Sequence, residues 1–193
     1  MSTLVRAVSW LVAVALMAAA MWLHGAKPRQ DSKLLDPIAS RGRVGTVVGN
    51  RVFSVQVDRV DVAAAIVKDD ILKRTTVPSP GLFVIVYLRI RSNQKPFMPG
   101  HARLTTRGGL SYDESGRPDV SGRTSNYEPM FWAPASYVFE IPKDRLAGTR
   151  LILGESSLLN QLSAEVDVDL GIDARKAADL IGRAPHDYVL KTT

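Results

Sequence analysis

Hydrophobic and polar positions divide this chain into three unequal parts. Residues 7–23 form a continuous apolar run without a charged side chain. Between residues 44 and 172, apolar and polar side chains alternate with a two-residue period, which is typical of strands with one buried face. After residue 172 the period changes to that of an amphipathic helix. The pattern predicts an apolar amino-terminal helix, a body of β-strands and a short carboxyl-terminal helix.

The apolar run has the length of a short membrane span. As a helix it reaches roughly 25 Å, the lower limit for a bilayer's hydrocarbon core, and Trp10 and Trp22 stand near its ends, where such rings favour the interface. A cleavable signal peptide is one alternative, with Arg6 before the run and small residues at Ala18–Ala20. A buried core helix is another. Because apolar residues continue to Leu23, we expect an uncleaved single-pass anchor.

The segment after the run is polar and contains Pro28 and Pro37, which predicts a linker. The cations that follow the run would place the domain in the cytoplasm by simple charge counting, but this rule loses force for a long folded domain. The domain boundaries expected from composition are an anchor or signal segment at 1–25, a linker at 26–43, a β-sandwich at 44–172, and a helix and tail at 173–193.

The strongest strand candidate is Leu82–Arg91, which opens at Gly81 and begins with seven apolar residues, as a central strand does. Val52–Val57 alternates until the pattern slips near Asp58, where a β-bulge would restore the register. In Gln161–Ile172, apolar residues alternate with mostly acidic ones, which predicts one buried face and one solvent-facing acidic face. Shorter strands are predicted at 102–106, 110–112, 137–141 and 150–153.

About seven short strands separated by turns predict an all-β, immunoglobulin-like antiparallel β-sandwich behind one transmembrane helix. A short helix then closes the domain, with Asp173 as N-cap and Gly182 at the C′ position. Its apolar stripe is predicted to consist of Ala174, Ala177, Ala178 and Ile181.

The order of these features resembles a known family. A first strand, Val52–Val57, is followed by Gly81–Arg91, a polar hairpin at Tyr112–Gly116 and the strand Tyr137–Asp144, with Ser92-Asn93 after the Gly-led strand. This order resembles the secreted immunoglobulin-like sandwich domains of Gram-positive bacteria, most of them of unknown function, on lipoproteins or behind a single anchor. The resemblance covers residues 44–172. It implies a non-catalytic domain on the extracytoplasmic side, and it transfers no catalytic residue.

Composition narrows the chemistry that the chain can perform. The net charge is +6 and there is no cysteine, which excludes disulfides, thiol nucleophiles and thiolate metal sites. His24, His101 and His186 have no metal-ligand spacing, so we expect surface or satisfied histidines. Ser156-Ser157 lacks the context of a nucleophile turn. We therefore expect no catalytic residue, no metal and no cofactor.

The loop Asp113–Asp119 is rich in oxygen donors. It has two interpretations, a solvated turn, which we favour, and a calcium site.

Nucleic acid is not an expected partner, because no aromatic residues are interleaved with the arginines. Positive charge concentrates between residues 89 and 123, and converging strand ends would form a basic rim, although a scattered soluble surface is the simpler interpretation. The basic residues concerned are Arg89, Arg91, Lys95, Arg103, Arg107, Arg117 and Arg123.

The apolar segment Pro129–Pro134 has two interpretations. Core filling is favoured by its hydrophobicity, whereas an exposed loop would present Phe131 and Trp132 as partner anchors, since Trp is frequent at binding hot spots. Candidate partner-binding residues are Phe131, Trp132, Arg89, Arg91, Arg103 and Arg107. We expect a membrane-anchored extracytoplasmic interaction module that holds another envelope protein, or a domain secreted after cleavage of the leader. The alternative is a basic module for acidic envelope polymers or lipid headgroups.

Overall fold

The computed structural model describes residues 38–70, 73–117, 126–155 and 163–190, together with residues 10, 12, 13, 15–19 and 21 of the apolar run. The chain divides into two compact units, Met1–Asp36 and Pro37–Thr193. The described residues of the first unit are helical and exposed. Across the described ranges, no helix combines the length and the apolar character needed to traverse a bilayer. Part of the predicted 7–23 span lies outside these ranges.

The second unit is a β-sandwich, as predicted. Sheet 1 contains β1 (Ile38–Arg43), β5 (Pro99–Thr105), β6 (Ser111–Asp113), β8 (Arg150–Glu155) and β9 (Ala164–Asp169) in the order β1-β9-β8-β5-β6. Sheet 2 contains β2 (Val47–Gly49), β3 (Phe53–Asp70), β4 (Lys73–Ser92), β7 (Ala133–Ile141) and β10 (Tyr188–Val189) in the order β10-β3-β4-β7, and β2 also pairs with β3. The main core lies between the two sheets.

Two strand pairs are parallel, so the prediction of a wholly antiparallel sandwich is wrong for these pairs. β1 runs parallel to β9, with Ile38 opposite Ala164, and β10 runs parallel to β3. Parallel neighbours require a long connection, and here most of the domain lies between β1 and β9. The predicted linker at 26–43 thus overlaps a strand at its end. Few apolar residues mark this strand, because it packs through Gly42, where a Cβ would meet the Val48 side chain.

The hairpin of β3 and β4 dominates sheet 2. The β-bulge predicted near Asp58 is confirmed by a register shift between Val57 and Arg59, which keeps the valines on both sides of it directed toward the core. β4 lies between β3 and β7, as a central strand should. It begins at Lys73 rather than at Gly81. Gly81 lies inside the strand, where a Cβ would stand 2.2 Å from the carbonyl oxygen of Ile141, so only glycine permits this close approach.

A second apolar cluster covers the outer face of sheet 2. Phe83, Ile85 and Tyr87 of β4 face away from the main core, and Tyr188 and Leu190 of the carboxyl-terminal tail pack against them. The tail is held in place by the carbonyl oxygen of Pro185, which accepts a hydrogen bond from the Ala64 amide at 2.8 Å. The tail is therefore part of the fold, which explains why β4 is apolar on both faces.

The carboxyl-terminal helix spans Ala174–Gly182, and its predicted N-cap is confirmed, since Asp173 Oδ1 accepts a hydrogen bond from the Lys176 amide at 2.7 Å. Gly182 does not occupy the C′ position. The helix runs through it, and Arg183, with φ −104°, closes the last turn. Of the predicted stripe, Ala177 is buried and Ile181 packs against the core, together with Leu180. Ala174 and Ala178 are exposed.

Candidate functional site

Four of the six predicted partner-binding residues come from neighbouring parts of sheet 2. Arg89 and Arg91 alternate with the core residues Leu88 and Ile90, so both arginines lie on the outer face of β4. Phe131 and Trp132 immediately precede β7, which pairs with this part of β4. The arginines thus lie beyond the portion of the face that the tail covers.

Arg89 is tied to its own sheet. Its guanidinium donates to both carboxylate oxygens of Asp58, with the shortest contact at 3.0 Å, and to Gln56 Oε1 at 3.1 Å. Asp58 is the extra residue of the β-bulge, and the bulge directs its carboxylate toward the guanidinium of Arg89. Charge neutralisation by Asp58 reduces the attraction that Arg89 can offer to an anionic ligand.

Arg91 is held by an aromatic ring rather than by a carboxylate. Its guanidinium carbon lies 4.9 Å from the centre of the Trp132 ring, within the range of a cation–π interaction. Its Nε atom is buried and has no hydrogen-bond partner. Trp132 is half-buried under this contact. Among the described residues, no carboxylate forms an ion pair with Arg91, so its positive charge is not neutralised there.

The favoured interpretation of Pro129–Pro134 as core filling is wrong for Met130 and Phe131, which are exposed, whereas Ala133 packs against the core. Met130 is 73% exposed and Phe131 is 74% exposed. The loop cannot turn inward because Pro129 pairs with Ser92 and the Met130 amide donates to the Ser92 carbonyl oxygen at 3.3 Å. Met130 has φ 68°, an uncommon conformation for a residue with a side chain. We call Met130, Phe131 and Trp132 the aromatic tip.

Arg103 lies on the opposite side of the sandwich, on the outer face of sheet 1. It donates to Glu165 Oε1 at 2.9 Å, and the same oxygen contacts His101 Nε2 at 2.7 Å. Next to this group, Asp167 accepts from Arg150 at 2.7 Å and forms an ion pair with Arg41 at 3.6 Å. These contacts bury two of the three carboxylates of β9, those of Glu165 and Asp167.

The prediction that the acidic face of β9 faces solvent is therefore wrong for Glu165 and Asp167, whereas the Asp169 side chain is 41% exposed. Glu165 is only 6% exposed and Asp167 only 9%, because cations on β1, β5 and β8 cover them. The apolar face, with Val166 and Val168, is buried as predicted. The strand itself covers Ala164–Asp169, which is shorter than the predicted Gln161–Ile172.

The predicted basic rim does not form, because its arginines lie on two opposite faces. Arg107 is exposed in the turn after β5, where its side chain lies close to Gly148. Lys95 is exposed in the loop after β4, and Arg117 is exposed in the segment after β6. Arg123 lies outside the described residues. The acidic loop forms a turn in its described part, where the Ser115 hydroxyl donates to the Arg117 carbonyl oxygen at 2.6 Å and accepts from its amide.

Several candidates from the sequence lie outside the described residues, namely His24, Asp119 and Ser156-Ser157. His101 is satisfied by Glu165, as expected of it, and His186 is exposed. Within the described ranges, no three side chains of His, Cys, Asp or Glu are grouped so that they could hold a metal ion.

A polar cluster that the sequence did not indicate lies where the tail crosses sheet 2. The Tyr188 hydroxyl donates to Asp61 Oδ2 at 2.5 Å and lies 3.1 Å from the Tyr87 hydroxyl. Burial, followed by the hydrogen bond to Asp61, raises the pKa of Tyr188 far above its ordinary value. Arg59 stacks over the Tyr87 ring at 4.1 Å, and its hydrogen bond with Tyr87 raises the pKa of Arg59. This cluster fastens the tail.

Neither a protein-family model nor a curated protein sequence matches this chain. Three solved structures are similar to it at low sequence identity. An uncharacterized β-sandwich protein from Clostridium difficile 630 is 9% identical with a TM-score of 0.41, over 74% of this chain and 99% of that one. MPT63, a secreted protein from Mycobacterium tuberculosis, is 12% identical with a TM-score of 0.47, over 69% of this chain and 97% of that one. A candidate lipoprotein (ycdA) from Bacillus subtilis is 14% identical with a TM-score of 0.45, over 70% of this chain and 42% of that one.

Proposed function

We propose that this chain is a membrane-anchored, extracytoplasmic interaction module of a bacterial cell envelope, without chemistry of its own. The aromatic tip, together with Arg91, is its contact surface. The observation that carries this proposal is the exposure of Met130 and Phe131 beside the Arg91–Trp132 pair. Exposed apolar groups of this size next to a cation are typical of surfaces that bind a protein or a lipid.

The backbone supports the same interpretation of the tip. A methionine at φ 68° costs on the order of 1–2 kcal/mol relative to an ordinary conformation. Burial of the Met130 side chain does not offset this cost, because the side chain points into solvent. A strained residue that presents an apolar group outward is a reason to look for function at that position.

The location is proposed from the sequence. The apolar run at 7–23 supports a single-pass anchor, or secretion if the leader is cleaved. The resemblance to secreted Gram-positive sandwich domains supports the extracytoplasmic side. An envelope protein is the partner that we expected first, and lipid headgroups are the second candidate.

The alternative that the chain binds acidic envelope polymers through a broad arginine surface is less well supported. Arg89 and Arg103 lie on opposite faces of the sandwich, and each is paired with a carboxylate, Asp58 and Glu165 respectively. A polymer could not engage both arginines on one face, and it would have to compete with the existing ion pairs.

Cell fractionation followed by protease digestion of intact spheroplasts tests this proposal. We expect the full chain in the membrane fraction, and we expect external protease to remove the domain. Protection of the domain until the spheroplasts are lysed would contradict the extracytoplasmic location, and recovery of the chain in the soluble cytosol would contradict the anchor. A cytoplasmic marker protein, followed in the same digestion, controls for lysis.

A further inference from the structure

The aromatic tip lies at the end of the sandwich where the chain enters it. We call this end the proximal end; it contains the start of β1 at Ile38, the turn Asn50–Val52, the loop after Ser92 and the aromatic tip. The Ala39 position pairs with Glu165, whose carbonyl oxygen contacts Asn50 Nδ2 at 3.5 Å. These contacts connect the entering strand to the turn before β3.

Asn93 connects that turn to the tip. Its side-chain amide donates to the Asn50 carbonyl oxygen at 2.7 Å and its backbone amide donates to Val52 at 2.8 Å. The preceding residue, Ser92, accepts the hydrogen bond from the Met130 amide. A relay of hydrogen bonds therefore links the tip to β9, the strand that pairs with β1.

The proximal end is both apolar and cationic. Exposed apolar side chains at this end belong to Met98, Met130 and Phe131. Its cations are Arg51, Arg91 and Lys95, and the carboxylates described at this end are Glu128 and Glu155. Elsewhere on the sandwich, the exposed large apolar residues described are Val47 in β2, Leu110 in the turn after β5 and Val189 in the tail. The proximal end thus carries three exposed large apolar side chains together with cations.

We propose that the proximal end docks on the anionic bilayer surface from which the leader emerges. Met130 and Phe131 insert at the boundary between headgroups and acyl chains, the Arg91–Trp132 pair lies at headgroup level, and Arg51 and Lys95 contact lipid phosphates. Trp and Arg are suited to this level because each combines an apolar body with a polar tip. This inference rests on the proposed function, since it requires the anchor.

Two observations favour a bilayer over a protein as the occupant. A stable protein interface covers about 800 Å² on each partner, whereas the exposed apolar side chains here form the tip of a loop. Shallow insertion into lipid needs only such a tip. In addition, β1 begins at the proximal end, so the proposed anchor, which precedes β1 in the chain, would keep a bilayer at a high effective concentration, and weak affinity would be sufficient.

The test uses the full chain with Trp10→Phe and Trp22→Phe, which leaves Trp132 as the single tryptophan. The protein is reconstituted in phosphatidylcholine vesicles with or without about one-third phosphatidylglycerol, and flotation reports the anchor. Brominated lipid then reports docking by quenching Trp132 emission. We expect about twofold quenching in the anionic vesicles, since an interfacial group lies roughly 5–10 Å below the surface, and less quenching in the neutral ones.

Phe131→Ser together with Met130→Ser should abolish the quenching while flotation persists. Leu110→Ser is the matched control, since it removes an exposed apolar side chain from the opposite end, and it should leave the quenching unchanged. Circular dichroism and urea unfolding verify that each variant is folded.

Each result decides a different claim. Flotation without quenching would overturn the docking proposal, leave the anchor intact and point to a protein as the occupant of the tip. Quenching that survives the double serine variant would also overturn it, because the contact would then lie elsewhere. Absence of flotation would contradict the anchor and, with it, the docking.

Discussion

Single side chains on the outer face of sheet 1 show how charges specify a strand arrangement. Glu165 and Asp167 on β9 would repel one another if they were alone, but arginines from three other strands neutralise them. A strand placed in another order would leave these carboxylates buried without partners, which is costly. The partners of Glu165 are more than sixty residues away along the chain, so a local pattern could show the acidic positions but not their neutralisation.

Gly154 makes room for this network. A Cβ at this position would lie 2.3 Å from the His101 ring, so Gly154→Ala should push the imidazole away from Glu165. We expect a loss of about 1–2 kcal/mol in the free energy of unfolding, because a buried carboxylate loses a hydrogen bond. Urea denaturation measures this change.

A double-mutant cycle with His101→Ala provides the control. Without the imidazole, Gly154→Ala should have almost no effect on stability. An equal loss in both backgrounds would show that Gly154 is required for the backbone and not for the histidine.

Tyr188 should make the protein sensitive to alkali. Because burial raises its pKa in the folded state, the folded protein keeps a proton that the unfolded chain releases above its ordinary pKa of 10.0. The contribution of this residue is therefore fully present below about pH 10 and is lost as the pH rises. Tyr188→Phe should cost about 1–2 kcal/mol at pH 7, and its stability should fall less steeply above pH 10. Parallel urea titrations of the two proteins that fall with the same slope would contradict this assignment.

At the scale of elements, the carboxyl-terminal tail acts as a cover for sheet 2. The tail contributes only a two-residue strand, yet its tyrosine and leucine close the cluster around Phe83 and Ile85. Short elements of this kind are invisible to periodicity, because two residues cannot establish a period. Their position becomes apparent only when the apolar face that they cover is known.

Removal of the tail should expose this cluster. A chain that ends at Ala184 should lose about 2–4 kcal/mol of stability, because several apolar side chains regain contact with water. It should also bind the dye ANS in its folded state. A chain that ends at Leu190 keeps the covering residues and serves as control. Unchanged stability after the longer truncation would show that the tail lies on the sheet without supporting it.

In the loop of the aromatic tip, a substitution is expected to stabilise the protein rather than to destabilise it. Met130→Gly should increase the free energy of unfolding by about 0.5–1 kcal/mol, because glycine adopts positive φ without steric cost. Thermal unfolding measures the gain. Met98→Gly is the matched control, since it removes another exposed methionine whose φ is not positive, and it should give no stabilisation. A loss of stability in Met130→Gly would mean that the methionine side chain contributes packing.

At the scale of the whole molecule, the first and last strands of the domain are each held by pairing with a strand that is distant in the sequence. β1 pairs with β9 at the edge of sheet 1, and β10 pairs with β3 in sheet 2. Such distant contacts must form after the intervening chain is organised, since closing a long loop costs entropy before it brings any contact. β4, which is paired on both sides and buried on both faces, is the centre of this arrangement.

Amide hydrogen exchange should reflect this hierarchy. We expect the slowest exchange at Val84 and Val86 in β4 and distinctly faster exchange at Ser40 in β1, because an edge strand opens without unfolding of the core. Native-state exchange followed by mass spectrometry or NMR measures these rates. Equal protection of β1 and β4 would show that the sandwich opens only as one unit.

The sequence could predict features that rest on local pattern. Examples are the central position of β4, the bulge at Asp58 and the cap at Asp173, each of which depends on a few consecutive residues. The parallel pairing of β1, the cover provided by the tail and the burial of Glu165 depend on distant partners, and no local pattern contains them. Exposure of Phe131 was one of two alternatives for the same apolar segment, and the pairing of this loop with Ser92, a residue distant in the chain, is a contact that no local pattern contains.

The parallel alignment of β1 with β9 has a mechanical consequence. Tension on the amino-terminal side of Ile38, with the body held elsewhere, pulls β1 along its own axis. Its ladder of bonds to β9 is then loaded in shear, so that many bonds share the force instead of breaking one after another. An antiparallel edge strand entering from the other end would be peeled away under the same pull. The first strand is therefore suited to bear tension that is applied to the chain before Ile38 without being stripped from the folded body.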